Sequence, residues 1–207
     1  MCESDCFRTC QTSKEVLKLA NNKLRVLSGV LKLELDSPEP LRAGAVCQRN
    51  ASGGRQIFLE VEETLCIRSE VGEVMITVTD AEGKIITRPT PPPRTVEITQ
   101  LAADDTAVEK AMRLYAELNH KSWVDMYRIH EVIEDDVGGQ HALQKRRWGS
   151  IPDLERFKHS ANSVTVAGDS ARHGKEVGQP PKNPMSIDEA AGYLKNVLQS
   201  WLASKGA

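Results

Sequence analysis

Arginine beside histidine is the pairing in this chain that most directly suggests chemistry. Arg172 and His173 are adjacent, and His159 and His141 lie upstream in the same basic region. Histidine changes charge near neutral pH, and arginine holds a phosphate in a fixed geometry. One histidine taking a proton from a ribose 2′-hydroxyl, another protonating the leaving oxygen, and an arginine holding the charged phosphorane would cleave RNA without a metal. Arg172, His173 and His159 are the candidate catalytic set, with Asn162 as an additional hydrogen-bonding group.

The same region carries Lys145, Arg146, Arg147, Arg156, Lys158 and Lys175 against Asp153, Glu155 and Asp169, with Trp148 and Phe157 interleaved. Basic groups attract phosphate and an aromatic ring stacks on a base. Lys145, Arg146, Arg147, Trp148 and Asn162 are therefore the candidate binding residues. The plainer reading is a basic surface turn with Trp148 anchored in the core. In that case Arg172 and His173 hold a long loop against helices.

Other chemistries lack their signatures. The sequence has no HExxH, GxSxG, P-loop or GxGxxG motif. The carboxylate runs Glu62–Glu63 and Glu134–Asp135–Asp136 lack calcium-loop spacing, and the second reads as a solvated helix end. Cys2, Cys6 and Cys10 would form one stripe on a helix, and three thiolates can hold zinc or an iron–sulfur cluster. Their spacing matches no common metal motif, so a reduced N-terminal tail is expected, and no metal or cofactor. The odd total of 5 cysteines argues against a disulfide framework.

Composition sets the frame. The 207 residues are 40% hydrophobic and 27% charged, with a net charge of −2, as in an ordinary globular protein rather than a general nucleic-acid binder. No run is long and apolar enough to span a membrane, and the start lacks signal-peptide order. A cytoplasmic location and no membrane partner are expected.

The elements that must position these residues divide at about residue 102. Residues 1–22 read as a tail or short helix. Residues 23–101 read as β-rich. Leu31, Leu33 and Leu35 alternate with Lys32 and Glu34 after a Ser28–Gly29 break, and further strand candidates lie in "AGAVCQRN", "RQIFLEVEE", "TLCIRSEV", "EVMITVTD" and "RTVEITQL". Recurrent turns between them suggest an antiparallel sandwich or barrel. The proline run Arg88–Arg94 reads as a stiff connection.

Residues 104–207 read as a helical bundle. Thr106 with Glu109, Ser122 with Asp125, and Ser186 with Glu189 look like capping boxes, and Ser150 with Pro152 like another helix start. Trp123, Met126, Tyr127, His130 and Ile133 form one stripe, ended by Gly138–Gly139. Ile187, Ala190, Ala191, Leu194, Val197, Leu198, Trp201 and Leu202 form the clearest buried face. The expected fold class is thus α+β, an N-terminal β sandwich or barrel followed by a C-terminal helical bundle.

The order of the second half, helices, then the polar Arg–His segment "SARHGK", then the capped last helix "MSIDEAAGYLKNVLQSWL", resembles the all-helical HEPN domains of prokaryotic defence and toxin proteins. That resemblance implies a bacterial protein, a homodimer, and either metal-independent ribonuclease activity through an Arg and a His or a binding and dimerisation role. In that family the Arg and His stand several residues apart, whereas here they adjoin. The expected function is a two-part protein whose helical module binds a partner, protein or RNA, or a copy of itself. The alternatives are a HEPN-like ribonuclease and a ligand-sensing β module coupled to the helices.

Overall fold

The computed structural model describes residues 5–37, 39–49, 55–58, 93–118, 122–176 and 178–207. The chain divides into one unit made of residues 1–43 and 94–207 and a second made of residues 44–93.

The first unit is helical. A 3-10 turn over Asp5–Thr9 precedes α1 (Ser13–Leu35). Thr12 and Glu15 form a capping box that starts α1. The hydroxyl accepts the Glu15 N–H, and the Glu15 carboxylate accepts the Thr12 N–H, so two otherwise orphaned donors are satisfied. The helix then runs through Lys23–Leu35 and ends at Asp36, whose φ of 50° lies in the left-handed region. The strand expected there is therefore wrong. Leu31, Leu33 and Leu35 alternate, but Val26, Val30 and Leu33 also fall at helical spacing, and it is Val30 and Leu33 that are buried while Leu35 is 66% exposed.

Ser28–Gly29 is not a break but a contact point. The Ser28 hydroxyl donates to the Leu24 carbonyl and accepts from the Leu41 N–H, both across a single turn or a short return. Gly29 lets α1 press against the backbone of α3 (Thr106–Glu117). A Cβ at Gly29 would lie 1.9 Å from the Met112 carbonyl oxygen, which no side chain permits.

The last expected strand, "RTVEITQL", is likewise helical, within α2 (Arg94–Asp104). Its β-branched residues suggest a strand, but Ile98 and Ala102, one turn apart, are the buried pair. The Thr99 hydroxyl donates to the Thr95 carbonyl at 2.6 Å, a way for threonine to sit in a helix. Packing decides over propensity here.

The expected helices α4 (Trp123–Asp136), α6 (Ile151–Asn162) and α8 (Ile187–Ser204) are present, and two short helices not expected, α5 (Gln140–Arg146) and α7 (Val164–Ala167), lie in stretches that read as a basic turn and a loop. The α4 stripe Trp123, Met126, Tyr127, His130 and Ile133 is buried, as is the α8 face from Ala190 to Leu202. Gly138 and Gly139 end α4 with φ of 92° and 95°, a conformation that favours glycine. At α3 the cap is Asp105 rather than Thr106. Its carboxylate accepts the Ala107 and Val108 N–H groups. The α3, α4, α6 and α8 faces and the inner edges of α1 and α2 enclose one hydrophobic core.

The second unit is described by a two-stranded antiparallel ribbon. β1 (Val46–Arg49) pairs with β2 (Arg55–Phe58) in the register Val46 opposite Phe58 and Arg49 opposite Arg55. These strands coincide with two expected ones. With Lys23–Leu35 and Arg94–Leu101 in helices, the sandwich or barrel is overturned, and the described protein is predominantly helical. The other strand candidates, the proline run up to residue 92, Glu62–Glu63, Cys2 and Cys66 lie outside the described residues. Cys10 and Cys47 are free thiols. Among the described residues no group of His, Cys, Asp and Glu could hold a metal, and no helix is long and apolar enough to cross a membrane.

Candidate functional site

The polar segment after α6 is tied down at several points. His159 itself is still helical, and α7 and a 3-10 turn over Gly168–Ser170 follow immediately. Glu176 reaches back to the start of α7, where its carboxylate accepts from the Thr165 N–H at 2.8 Å, the Thr165 hydroxyl at 2.9 Å and the Ser163 hydroxyl at 3.2 Å. The Thr165 N–H first, and the two hydroxyls with it, hold this carboxyl below its usual range.

Further along, the buried Met185 donates its N–H to the buried Ser160 hydroxyl at 2.8 Å. The Arg156 guanidinium donates to the Asn183 and Pro184 carbonyls and pairs with Asp153 and Glu189. Glu189 is thereby shared between capping α8 at Ser186 and fastening Arg156 of α6.

Arg172 is one of these fastenings. Its N–H donates to the Ala161 carbonyl at 2.9 Å. Its guanidinium lies 4.6 Å from the centroid of the Tyr127 ring and bonds the Glu131 carboxylate at 2.7 Å. Tyr127 and Glu131 are one turn apart on α4, so a single face of α4 receives both the planar and the charged side of the arginine. His159 Nε2 donates to the Gln179 carbonyl at 2.8 Å. His173 is exposed and makes no hydrogen bond with a described residue. Asn162 is half-buried, and its Oδ1 accepts no hydrogen bond from a described residue. Arg172, His173 and His159 thus share no common partner. Arg172 faces α4, and His159 faces the returning chain.

Of the expected binding residues, Lys145, Arg146, Arg147 and Trp148 form a separate corner between α5 and α6, while Asn162 lies at the other end of α6. Lys145, Arg146 and Arg147 are exposed and pair with no described carboxylate, whereas Arg156, Lys158 and Arg172 are each held by one. Arg147 ends α5 in the left-handed region at a φ of 56°. The Arg146 guanidinium lies 5.8 Å over the Trp148 ring. Trp148 is partly buried against the core, and its carbonyl accepts from Asn196 Nδ2 of α8 at 2.5 Å. Gly149 sits against the Tyr193 ring, where a Cβ would come within 2.7 Å. Beside this turn is a notch of about 10 Å³, lined by Leu143, Trp148, Ile151, Leu154, Tyr193 and Val197 among others, room for a single water-sized group.

The core holds one group whose character sequence reading passed over. His130, placed in the α4 stripe, is wholly buried among Tyr127, Phe157 and Tyr193, and neither ring nitrogen has a hydrogen-bond partner among the described residues. The Glu134 carboxylate is 3.6 Å from Nδ1, but it is bonded by Lys158 at 2.9 Å. Burial, and then the Lys158 charge, push this histidine down to about 3, so it is neutral at pH 7.

Tyr127 and Glu131 as the seat of Arg172 were legible as an i, i+4 pair but were not singled out. Arg156, Ser160 and Glu176 gave no motif-level signal, because each acts on main-chain groups of a distant segment. Comparison with protein-family models, with curated proteins and with solved structures finds no match to this chain.

Proposed function

We propose that the helical unit is a partner-binding module, and that Arg172 serves its architecture rather than catalysis. The observation that supports this most is the engagement of the Arg172 guanidinium. A phosphorane clamp needs an arginine free to face the reacting phosphate beside the acid and base. Here the charge is answered by Glu131 and the face is covered by Tyr127. In contrast, three adjacent cations at the α5–α6 corner remain open to a partner.

The test compares the full chain with Arg172→Ala and His173→Ala for RNA cleavage in EDTA, with the mass of each followed against concentration. The proposal expects no cleavage from any of the three. Cleavage by the wild type that both substitutions abolish would replace the binding reading with the metal-independent ribonuclease.

A further inference from the structure

We propose that the α5–α6 corner binds an acidic, amphipathic segment of a protein partner. The segment's carboxylates lie against Lys145, Arg146 and Arg147, and an apolar side chain rests on Ile151 at the notch beside Trp148. This deepens the partner-binding reading and rests on it.

Charge complementarity is the first argument. Three consecutive cations are exposed, and no described carboxylate answers them. Of the acids on the flanking helices, Glu134 is engaged by Lys158, Asp136 by Lys205, and Asp153 by Ser150 and Arg156, while Asp135 and Glu155 are exposed and form no ion pair with a described residue. Two of the cations, Lys145 and Arg146, stand in the last turn of α5, where they also offset the helix dipole. Arg147 lies past that turn in a left-handed conformation, and dipole compensation gives no reason for a third.

The apolar component decides which class of anion fits. Ile151 is 50% exposed in the first turn of α6 and lines the same notch as Trp148. An exposed isoleucine next to a tryptophan and arginines has the composition of a protein-binding surface. A nucleic-acid strand would satisfy the cations but would leave Ile151 against sugar and phosphate. The corner is also preformed. Asn196 holds the Trp148 carbonyl, and Gly149 sits on Tyr193, so the backbone of the turn is fixed before a partner arrives.

The experiment follows the anisotropy of a labelled peptide of alternating Glu, Asp and Leu added to the full chain. The controls are the same peptide with Ser for Leu and a single-stranded oligonucleotide of equal charge. Trp148 supplies a second readout, because Trp123 and Trp201 are buried and only Trp148 borders the notch.

The Leu peptide should bind, weaken with salt and perturb the tryptophan emission. Affinity should fall about tenfold in the combined Lys145→Gln, Arg146→Gln, Arg147→Asn variant, and severalfold in Ile151→Ser. Asn tolerates the left-handed position at 147, and unchanged thermal melts establish that both variants fold. Absence of Leu-peptide binding, equal binding of the Ser peptide, tighter binding of the oligonucleotide, or indifference to the charge substitutions would each overturn the proposal. If those results came with no cleavage in EDTA and with concentration-dependent self-association, the broader binding reading would survive. Cleavage that Arg172→Ala and His173→Ala abolish would remove both.

Discussion

At the scale of single residues, Gly29 and His130 make the sharpest demands. Gly29 lets α1 approach the α3 backbone more closely than any side chain allows. Gly29→Ala must push the two helices apart, so a loss of about 3 kcal/mol or more is expected, at the upper end of overpacking costs. The measurement is the urea midpoint against wild type. His130 carries a different cost, through pH. Its folded value of about 3 lies below the ordinary 6.5, so the unfolded chain binds the extra proton between those values. Stability from this group is full above pH 6.5 and is lost as pH falls toward 3. Between pH 7 and pH 5 that amounts to roughly 2 kcal/mol, at about 1.4 kcal/mol per unit. Denaturant titrations at the two pH values should show that drop, and His130→Leu should shrink it. At pH 7 the same variant should be nearly neutral, because neither ring nitrogen has a bond to lose.

At the scale of elements, the segment from Ser163 to Ser186 is the informative one. Read as sequence, it is polar, rich in Gly and Pro, and loop-like; that holds from Ala171 onward, whereas Val164–Ala167 is helical and Gly168–Ser170 a 3-10 turn. What sequence could not supply is how it is fastened, because its bonds run from main-chain groups to side chains on α6, and from the Arg172 side chain to α4, both distant in the chain. Arg172 looked catalytic for the same reason, since its type is legible but its partner is not. The capping signals were read more surely, because Ser122, Ser150 and Ser186 act within one turn. The two strands lost to helices fell where alternation and β-branching competed with burial. The fastening predicts an order of costs. Ser160→Ala strands the buried Met185 N–H and should cost about 1–3 kcal/mol. Arg172→Ala breaks a half-exposed pair and ring contact, and should cost about 1 kcal/mol or less. Thermal denaturation of the two variants checks the ranking, and a reversed order would make Arg172 the principal anchor of the segment.

At the scale of the whole molecule, the helical unit is discontinuous in sequence, and that has consequences for what can fold. Every residue of the described hydrophobic core belongs to residues 1–43 or 94–207. Val30 and Leu33 of α1, which precede residues 44–93 in the sequence, complete that core, with Gly29 seated on Met112 and Lys32 donating to the Leu118 carbonyl at the end of α3. A chain restricted to residues 104–207 would therefore lack both α1 and α2, and would expose the α3 face that holds Met112 and Tyr115. Burial of a large apolar side chain contributes about 1.5–3 kcal/mol, and a domain's whole stability is about 5–15 kcal/mol, so removing several such contacts is enough to abolish cooperative folding. Replacing residues 44–93 with a flexible Gly/Ser linker leaves all of those contacts in place, at the modest entropic cost of closing the linker. Circular dichroism with urea should give a sharp transition for the linker variant near that of the full chain, and a broad or absent one for residues 104–207. A sharp, full-amplitude transition from residues 104–207 alone would mean that α1 rests on a bundle already complete without it.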